Sequence, residues 1–428
     1  MKFGGTSVGG GAEFARAARM VADEARKRPV AVVVSAMSGT TDTLLGYAES
    51  TSTTDTRTST GATREGSLAE LHRTLAERHL SAARHAVDEE RLPQVEERIY
   101  ELLSELLEAI ASEGEAEARR ARIAVYGERL SACILAGAVA SAGAPAAVAE
   151  DPIATDGDYL EAEVDPERTR ERAAERVAPL LEGGVVVVPG FVGLSAEGRQ
   201  TTLGRGGSDL SATALGAALD SDEVWICSDV DGVLDADPAL VGDATLIPRL
   251  SYREASSMAS LGAKVLHPKT MEPAREAGIE VIVRSTFNSE CAGTRVCSRE
   301  PGSGMRGVGL QRGLSLAREF GSPDSPVFRV LGSGGRGVDY LLHSESAECA
   351  AVVCVGSVGC EELSAGILAL ENNGISVRWA GPSADGLLFV VAGEDASAAL
   401  GALHGSLVAG EERGTSRDAE SYIEEGVA

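Results

Sequence analysis

Short apolar runs and stretches of helical period alternate through the first two thirds of the chain. Val30-Ala31-Val32-Val33-Val34 is apolar throughout, the pattern of a parallel strand covered on both faces. Before it, Phe14, Ala17, Ala18, Val21 and Ala25 recur at helical spacing within residues 12–28, and Pro29 closes that helix. Strand-like runs are expected again at 121–126, 185–189, 223–228 and 279–284. Residues 67–120 are charged and leucine-patterned (Leu102, Leu103, Leu106, Leu107, Ile110), hence helical, and the Ser/Thr/Gly-rich stretch 50–66 reads as a loop. This order predicts an α/β fold, a mostly parallel sheet sandwiched by helices. Ligands of such sheets bind at the carboxyl ends of the strands.

Near residue 300 the pattern changes. Pro301, Gly302, Ser303 and Gly304 mark a linker, and the chain beyond it reads as a smaller C-terminal α+β domain. Its expected strands are Val338–His343, Ala350–Val355, Ile375–Trp379 and Leu387–Ala392, and its expected helices are 361–372 and 395–407. The predicted domains are therefore 1–300 and 301–408, with an acidic tail at 409–428.

Charge narrows the possibilities. A net charge of −26 excludes a nucleic-acid partner, which needs basic clusters, and suits a salt-rich, halophilic interior. No apolar run approaches the roughly 20 residues of a membrane span, and glycines follow Met1 where a signal peptide would be apolar, so a cytoplasmic location is expected. Seven scattered cysteines without a Cys-x-x-Cys pair, and six histidines away from ligand spacing, predict reduced thiols and no metal site built by the protein. Only four of the 39 basic residues are lysines (Lys2, Lys27, Lys264, Lys269). Two of them, Lys2 and Lys264, stand in glycine-containing segments where a compact ammonium can approach a phosphate closely.

Four segments carry the candidate chemistry: Lys2-Phe3-Gly4-Gly5-Thr6-Ser7, Tyr126-Gly127-Glu128-Arg129-Leu130-Ser131, Leu203-Gly204-Arg205-Gly206-Gly207-Ser208-Asp209 and Gly262-Ala263-Lys264-Val265-Leu266-His267-Pro268. Gly4 and Gly5 let backbone N–H groups face a phosphate at a helix start, although paired glycines also make ordinary turns. Arg205 suits bidentate carboxylate recognition. Asp209 could orient the cations or cap a helix. Glu128, expected at a strand end, could hold an ammonium or favour a helix dipole. The hydroxyls of Ser35 and Thr41 could bind a carboxylate or cap the next helix. Ser228-Asp229-Val230-Asp231-Gly232 and Asp237-Pro238 suit ribose and base contacts, or are solvated turns. His267 reads as structural.

Taken together and in this order, the segments resemble those of aspartate kinases in the amino-acid-kinase superfamily, with the likeness running over residues 1–297. The second domain resembles the ferredoxin-like ACT regulatory module that follows the kinase domain in that family, here as a shortened tandem. The resemblance implies ATP with Mg²⁺, L-aspartate as acceptor, and a 4-phospho-L-aspartate product for lysine, threonine and methionine synthesis. It assigns Lys2 and Lys264 to the transferring phosphoryl and Asp209 to orienting them. Ser35, Thr41, Glu128 and Arg205 would hold aspartate. Lys2, Phe3, Gly4, Gly5, Ser228, Asp229, Leu234, Asp237 and Lys264 would contact ATP, and an amino-acid effector and a homodimer are expected through the ACT part. The chain departs from the family in four places: only Met1 precedes Lys2, so a clipped first strand is expected; Leu234 stands where tyrosine is usual; Ala239 stands where arginine often follows Asp-Pro; and Ser257 replaces an acidic residue before Met258.

Overall fold

The computed structural model describes residues 1–50, 64–260, 268–298, 304–319, 328–331, 338–343, 348–357, 359–383 and 386–409. The expected 50–66 loop (beyond residue 50), the segment 262–267 with Lys264 and His267, and the acidic tail from residue 410 lie outside the described residues. The chain divides into two compact units. One holds Met1–Asp231 and Lys269–Arg295, and the other Gly232–Pro268 and Val296–Ala428.

The first unit is built on a parallel sheet. Six adjacent strands of this eight-stranded sheet run, in spatial order, Ala146–Val148, Val185–Pro189, Ala31–Val34, Lys2–Phe3, Glu223–Ser228 and Glu280–Ser285. Lys2–Phe3 is only two residues long but is paired on both sides, Lys2 lying opposite Val33 and Ile226. The Met1 amine donates to Ala31 O at 2.7 Å, which anchors this short strand at its start. Burial pushes that amine down to about pKa 6, because a charged group loses its hydration there. Valines fill Val185–Pro189, every residue of which is buried, as a strand covered on both faces requires.

Helices cover the sheet. Gly11–Ala25, Arg64–Ala86, Leu92–Ala111 and Tyr126–Ser141 share one core with the central strands, in which Phe3, Phe14, Ile99, Leu103, Leu130 and Val187 have no more than trace exposure. The expected strand at 121–126 is helical instead. Ala116–Ala124 leads into Tyr126–Ser141, and Ala118, Ala121, Ile123 and Ala124 are buried. An apolar run of this length fits either state, and the alanines decide for helix. The stretch Ala116–Ser141 is long and apolar enough to cross a membrane, contrary to the expectation that no run is. Yet 83% of its most apolar window is buried inside the protein, so it serves as a core helix.

The second unit has a six-stranded antiparallel sheet, ordered Phe328–Leu331, Val338–His343, Met305–Glu319, Cys349–Gly356, Gly386–Ala392 and Trp379–Ser383. Helices Cys360–Asn372 and Ala396–Leu403 pack on it through Leu370, Leu400 and Leu403 against Val352, Phe389 and Val391. The second helix ends in a π turn at His404–Val408. Two local expectations shift. Ile375–Trp379 is not a strand, because the Asn373–Gly374 turn is followed by irregular chain and pairing begins at Trp379. Residues 232–268 group with this unit, and Ala236 and Val241 enter its core.

Candidate active site

The carboxyl ends of the parallel strands surround a cavity of about 290 Å³, lined by Lys2, Ser35, Thr41, Glu128, Phe191, Gly204, Gly206, Gly207, Ser208 and Asp209. Five of the seven candidate catalytic and aspartate-binding residues therefore share one space, although they lie as far apart as positions 2 and 209.

Each reaches it for a local reason. Lys2 begins the two-residue central strand with 9% exposure, and its Nζ lies 2.6 Å from Asp209 Oδ1, off the line of a hydrogen bond, so charge holds the pair. At Gly4 a Cβ would come 3.4 Å from Lys2 Nζ, so glycine keeps space beside the ammonium. Asp209 stands in the first turn of Gly207–Ala218, whose free N–H groups and dipole favour anions in the cavity. Gly204 and Gly206 hold φ of 68° and 74°, a left-handed conformation that costs other residues roughly 1–2 kcal/mol. At Gly207 a Cβ would lie 2.7 Å from the Phe191 ring. Three glycines thus bend the chain tightly enough for the helix start to line the cavity.

Glu128 is 3% exposed and sits in the first turn of Tyr126–Ser141, not at a strand end. Burial pushes its carboxyl up to about pKa 8, opposed by backbone N–H groups of Ala36 and of Glu128 itself. Its Oε2 has no hydrogen-bond partner among the described residues. A buried carboxyl with a free oxygen on a cavity wall is costly unless a ligand cation completes it. Gly127 makes this placement possible, because a Cβ there would lie 2.8 Å from Ala36 Cβ and 3.3 Å from Thr40 Cγ2.

The remaining candidates are placed differently. Arg205 is exposed and its side chain does not line the cavity, although Gly204 and Gly206 on either side do. Phe3 is fully buried in the core, so only its backbone is available to a ligand. Gly4 donates to Cys227 O at 3.3 Å, and Gly5 begins a short 3₁₀ turn. Ser228 ends its strand and Asp229 is exposed beside it. Leu234 and Asp237 fall in the second unit, where Asp237 Oδ1 accepts from Ala239 N at 2.9 Å.

Two residues gave no signal in the sequence. Phe191 lines the cavity with φ of 66°, a strain of order 1–3 kcal/mol for a non-glycine residue. It is held by its N–H to Ser211 Oγ at 3.0 Å and by Leu203 N donating to its carbonyl at 3.0 Å. Its position just after the valine strand, at the ligand end of the sheet, was the available clue. Arg78 reaches from the helix Arg64–Ala86 to donate to Ser38 O and to Thr40 Oγ1, the latter at 3.4 Å. It clamps the chain between Ser35 and Thr41, the latter in the first turn of the helix Thr40–Ser50. Arg78→Ala is expected to raise the Michaelis constant of the acceptor about fivefold to tenfold, the order of one charge-assisted hydrogen bond, with kcat changed less than twofold. Steady-state kinetics at saturating nucleotide checks this, and an unchanged constant would leave the clamp without a role.

The family model described as the amino acid kinase family matches residues 1–285. The chain belongs to the amino acid kinase family. Among curated amino acid kinases, the aspartokinase of Thermus thermophilus is 36% identical over 230 residues, 51% of this chain and 55% of its own length. The chain thus spans about half the length of the curated relatives it matches. Among solved structures, Escherichia coli aspartokinase III in complex with aspartate and ADP (R-state) is 26% identical, with a TM-score of 0.74 over 95% of this chain and 98% of that one. The same enzyme in complex with lysine and aspartate (T-state) gives a TM-score of 0.75 at the same identity and coverage. The likeness to both extends through the second unit.

Proposed function

We propose that this amino acid kinase is an aspartate kinase. It transfers the γ-phosphoryl group of ATP to the side-chain carboxylate of L-aspartate, the first step of lysine, threonine and methionine synthesis. The observation that carries the reading is the single cavity in which Lys2, Asp209, Glu128, Ser35 and Thr41 converge at the carboxyl ends of the strands. The E. coli relative, crystallised with aspartate and ADP, supports the substrate pair.

An aspartate carboxylate oxygen attacks the γ-phosphorus in line, the bond to the β-bridging oxygen breaks, and ADP leaves. The attacking carboxylate is already ionised near neutral pH, so no general base is needed. Catalysis is positioning and neutralisation of charge. Lys2, oriented by Asp209, and Lys264 would neutralise the transferring group. Glu128 would bind the aspartate ammonium, and Ser35, Thr41 and Arg205 its carboxylates, Arg205 from the turn whose Gly204 and Gly206 line the cavity. Gly4, Gly5, Ser228, Asp229, Leu234 and Asp237 would contact the nucleotide. No group of three or more His, Cys, Asp or Glu side chains suited to a metal occurs among the described residues. Asp209, the cavity carboxylate paired with Lys2, would be the residue to hold Mg²⁺, an ion bound largely by water and nucleotide oxygens. When bound, Mg²⁺ would lower the charge of the nucleotide phosphates.

The second unit would act as an ACT-type regulatory module with an amino-acid effector, supported by the lysine complex of the E. coli relative. A cytoplasmic homodimer is the proposed state, and a monomeric mass by light scattering would contradict the dimer. Incubation with ATP, Mg²⁺, L-aspartate and hydroxylamine tests the activity, because hydroxylamine converts an acyl phosphate to a hydroxamate. Hydroxamate should form with aspartate and far less with glutamate, whose extra methylene displaces the attacking oxygen. The yield should rise with KCl toward molar concentrations, as the charge of −26 implies. A folded sample that gives no hydroxamate at any salt concentration would refute the assignment.

A further inference from the structure

The second unit contains a buried polar contact between a histidine and an aspartate that takes no part in the phosphoryl transfer. His404 opens the π turn at the C-terminal end of Ala396–Leu403 and is 2% exposed, while Asp235 is 4% exposed. Their Nε2 and Oδ1 atoms lie 3.2 Å apart, off the line of a hydrogen bond. Asp235 is tied on its other sides as well. Its carboxylate accepts from Thr245 N at 2.9 Å and from Thr245 Oγ1 at 2.7 Å. Its N–H donates to Thr245 O at 2.9 Å, and its carbonyl accepts from Val308 N at 2.7 Å. Gly307 permits that last approach, since a Cβ there would lie 2.7 Å from Asp235 O.

The neighbours of Asp235 are what make the contact informative. Leu234 precedes it and Asp237 lies two residues later, the two positions proposed for nucleotide contacts. Ala236 and Val241 of the same turn are core residues of the second unit, packed with Leu370, Phe389, Leu403 and Leu407. The turn is therefore part of the core of the second unit, fastened to its sheet through Val308 and to its last helix through His404.

We propose that His404 is a positioning residue for ATP. Through Asp235 it fixes the turn bearing Leu234 and Asp237, so that the C-terminal helix of the second unit sets nucleotide affinity. This rests on the aspartate kinase reading of that turn. Removing one partner of a buried polar contact leaves the other unsatisfied, and the turn then loses its fixed position.

The full-length chain tests this with Mg·ADP calorimetry and steady-state kinetics. His404→Ala should weaken Mg·ADP binding and raise the KM for ATP at least fivefold, with the KM for aspartate within twofold of wild type. His404→Gln, which keeps an N–H near the position of Nε2, should restore most of the loss. A folded His404→Ala protein with unchanged ATP affinity, or with both substrates affected alike, would overturn the proposal. Hydrogen exchange on the wild-type chain guards against a variant that does not fold. Saturating Mg·ADP should slow exchange at residues 233–237 and 404–409 together, and protection of the first segment alone would also overturn it. Asp237→Ala separates the two levels: if it leaves Mg·ADP binding intact, the reading of the turn is wrong, whereas its failure to bind beside a normal His404→Ala condemns only the coupling.

Discussion

Replacement of Lys2 by methionine is expected to lower kcat about 10²- to 10³-fold, the loss seen when one preorganised donor to a transition-state charge is removed. Lys2 is nearly buried and held by Asp209 at 2.6 Å, so its ammonium needs no reordering when charge develops on the transferring phosphoryl. Methionine keeps an unbranched stem and removes the charge. The KM for aspartate should change much less, because Glu128, Ser35 and Thr41 are the proposed acceptor contacts. Lys264→Ala should cause a loss of similar size. A double cycle with Asp209→Asn separates the roles. If Asp209 works by orienting Lys2, the double variant should be no slower than Lys2→Met alone. A Lys2→Met enzyme with wild-type kcat would remove this lysine from the chemistry.

Replacement of Glu128 by glutamine should have two large effects of opposite benefit. Aspartate binding should weaken by at least about 30-fold, since truncating one partner of a desolvated charge pair costs roughly 2–5 kcal/mol. Stability should rise. The carboxyl titrates at about 8 in the folded protein against an ordinary value of 4.5, so the folded state favours the protonated form. Unfolding then releases a proton, and stability falls as pH rises from the unfolded value through the folded one. Each unit of that interval costs about 1.4 kcal/mol, so near pH 7 the glutamine variant should gain roughly 3 kcal/mol, measurable by urea denaturation. Binding follows the same titration in reverse. An ammonium needs the carboxylate, so the wild-type KM for aspartate should fall as pH rises toward 8 and then level off, while the variant lacks this dependence. Calorimetry in buffers of different ionisation enthalpy should detect release of about 0.9 proton per aspartate at pH 7. No release, or a variant less stable than wild type at pH 7, would mean that Glu128 is not held protonated for a ligand ammonium.

The parallel sheet was legible because its strands are continuous valine-rich runs. Val185–Pro189, Glu223–Ser228 and Glu280–Ser285 lie within a residue or so of their expected positions. The 121–126 run was not, because a short apolar segment has no period of its own and the adjoining alanines extended the helix through it. Motif chemistry brought Lys2, Ser35, Thr41, Glu128 and Asp209 to one cavity, since each stands next to a glycine, a hydroxyl or a strand end that has few other uses. Arg78 and Phe191 were hidden for a different reason. Their roles arise from contacts 38 and 40 residues away for Arg78, and from a backbone angle for Phe191 that no residue type announces. The transfer of residues 232–268 to the second unit was equally hidden, because it depends on which core Ala236 and Val241 enter and not on any break in composition.

The central proposal is that one cavity at the strand ends receives the phosphoryl acceptor, and a crystal structure with ADP, Mg²⁺ and L-aspartate is the decisive check of that placement. The aspartate ammonium should lie within hydrogen-bond distance of Glu128, with the side-chain carboxylate turned toward Lys2 and the nucleotide phosphates. Aspartate density elsewhere, or in this cavity but with its ammonium turned away from Glu128, would refute the assignment of the site.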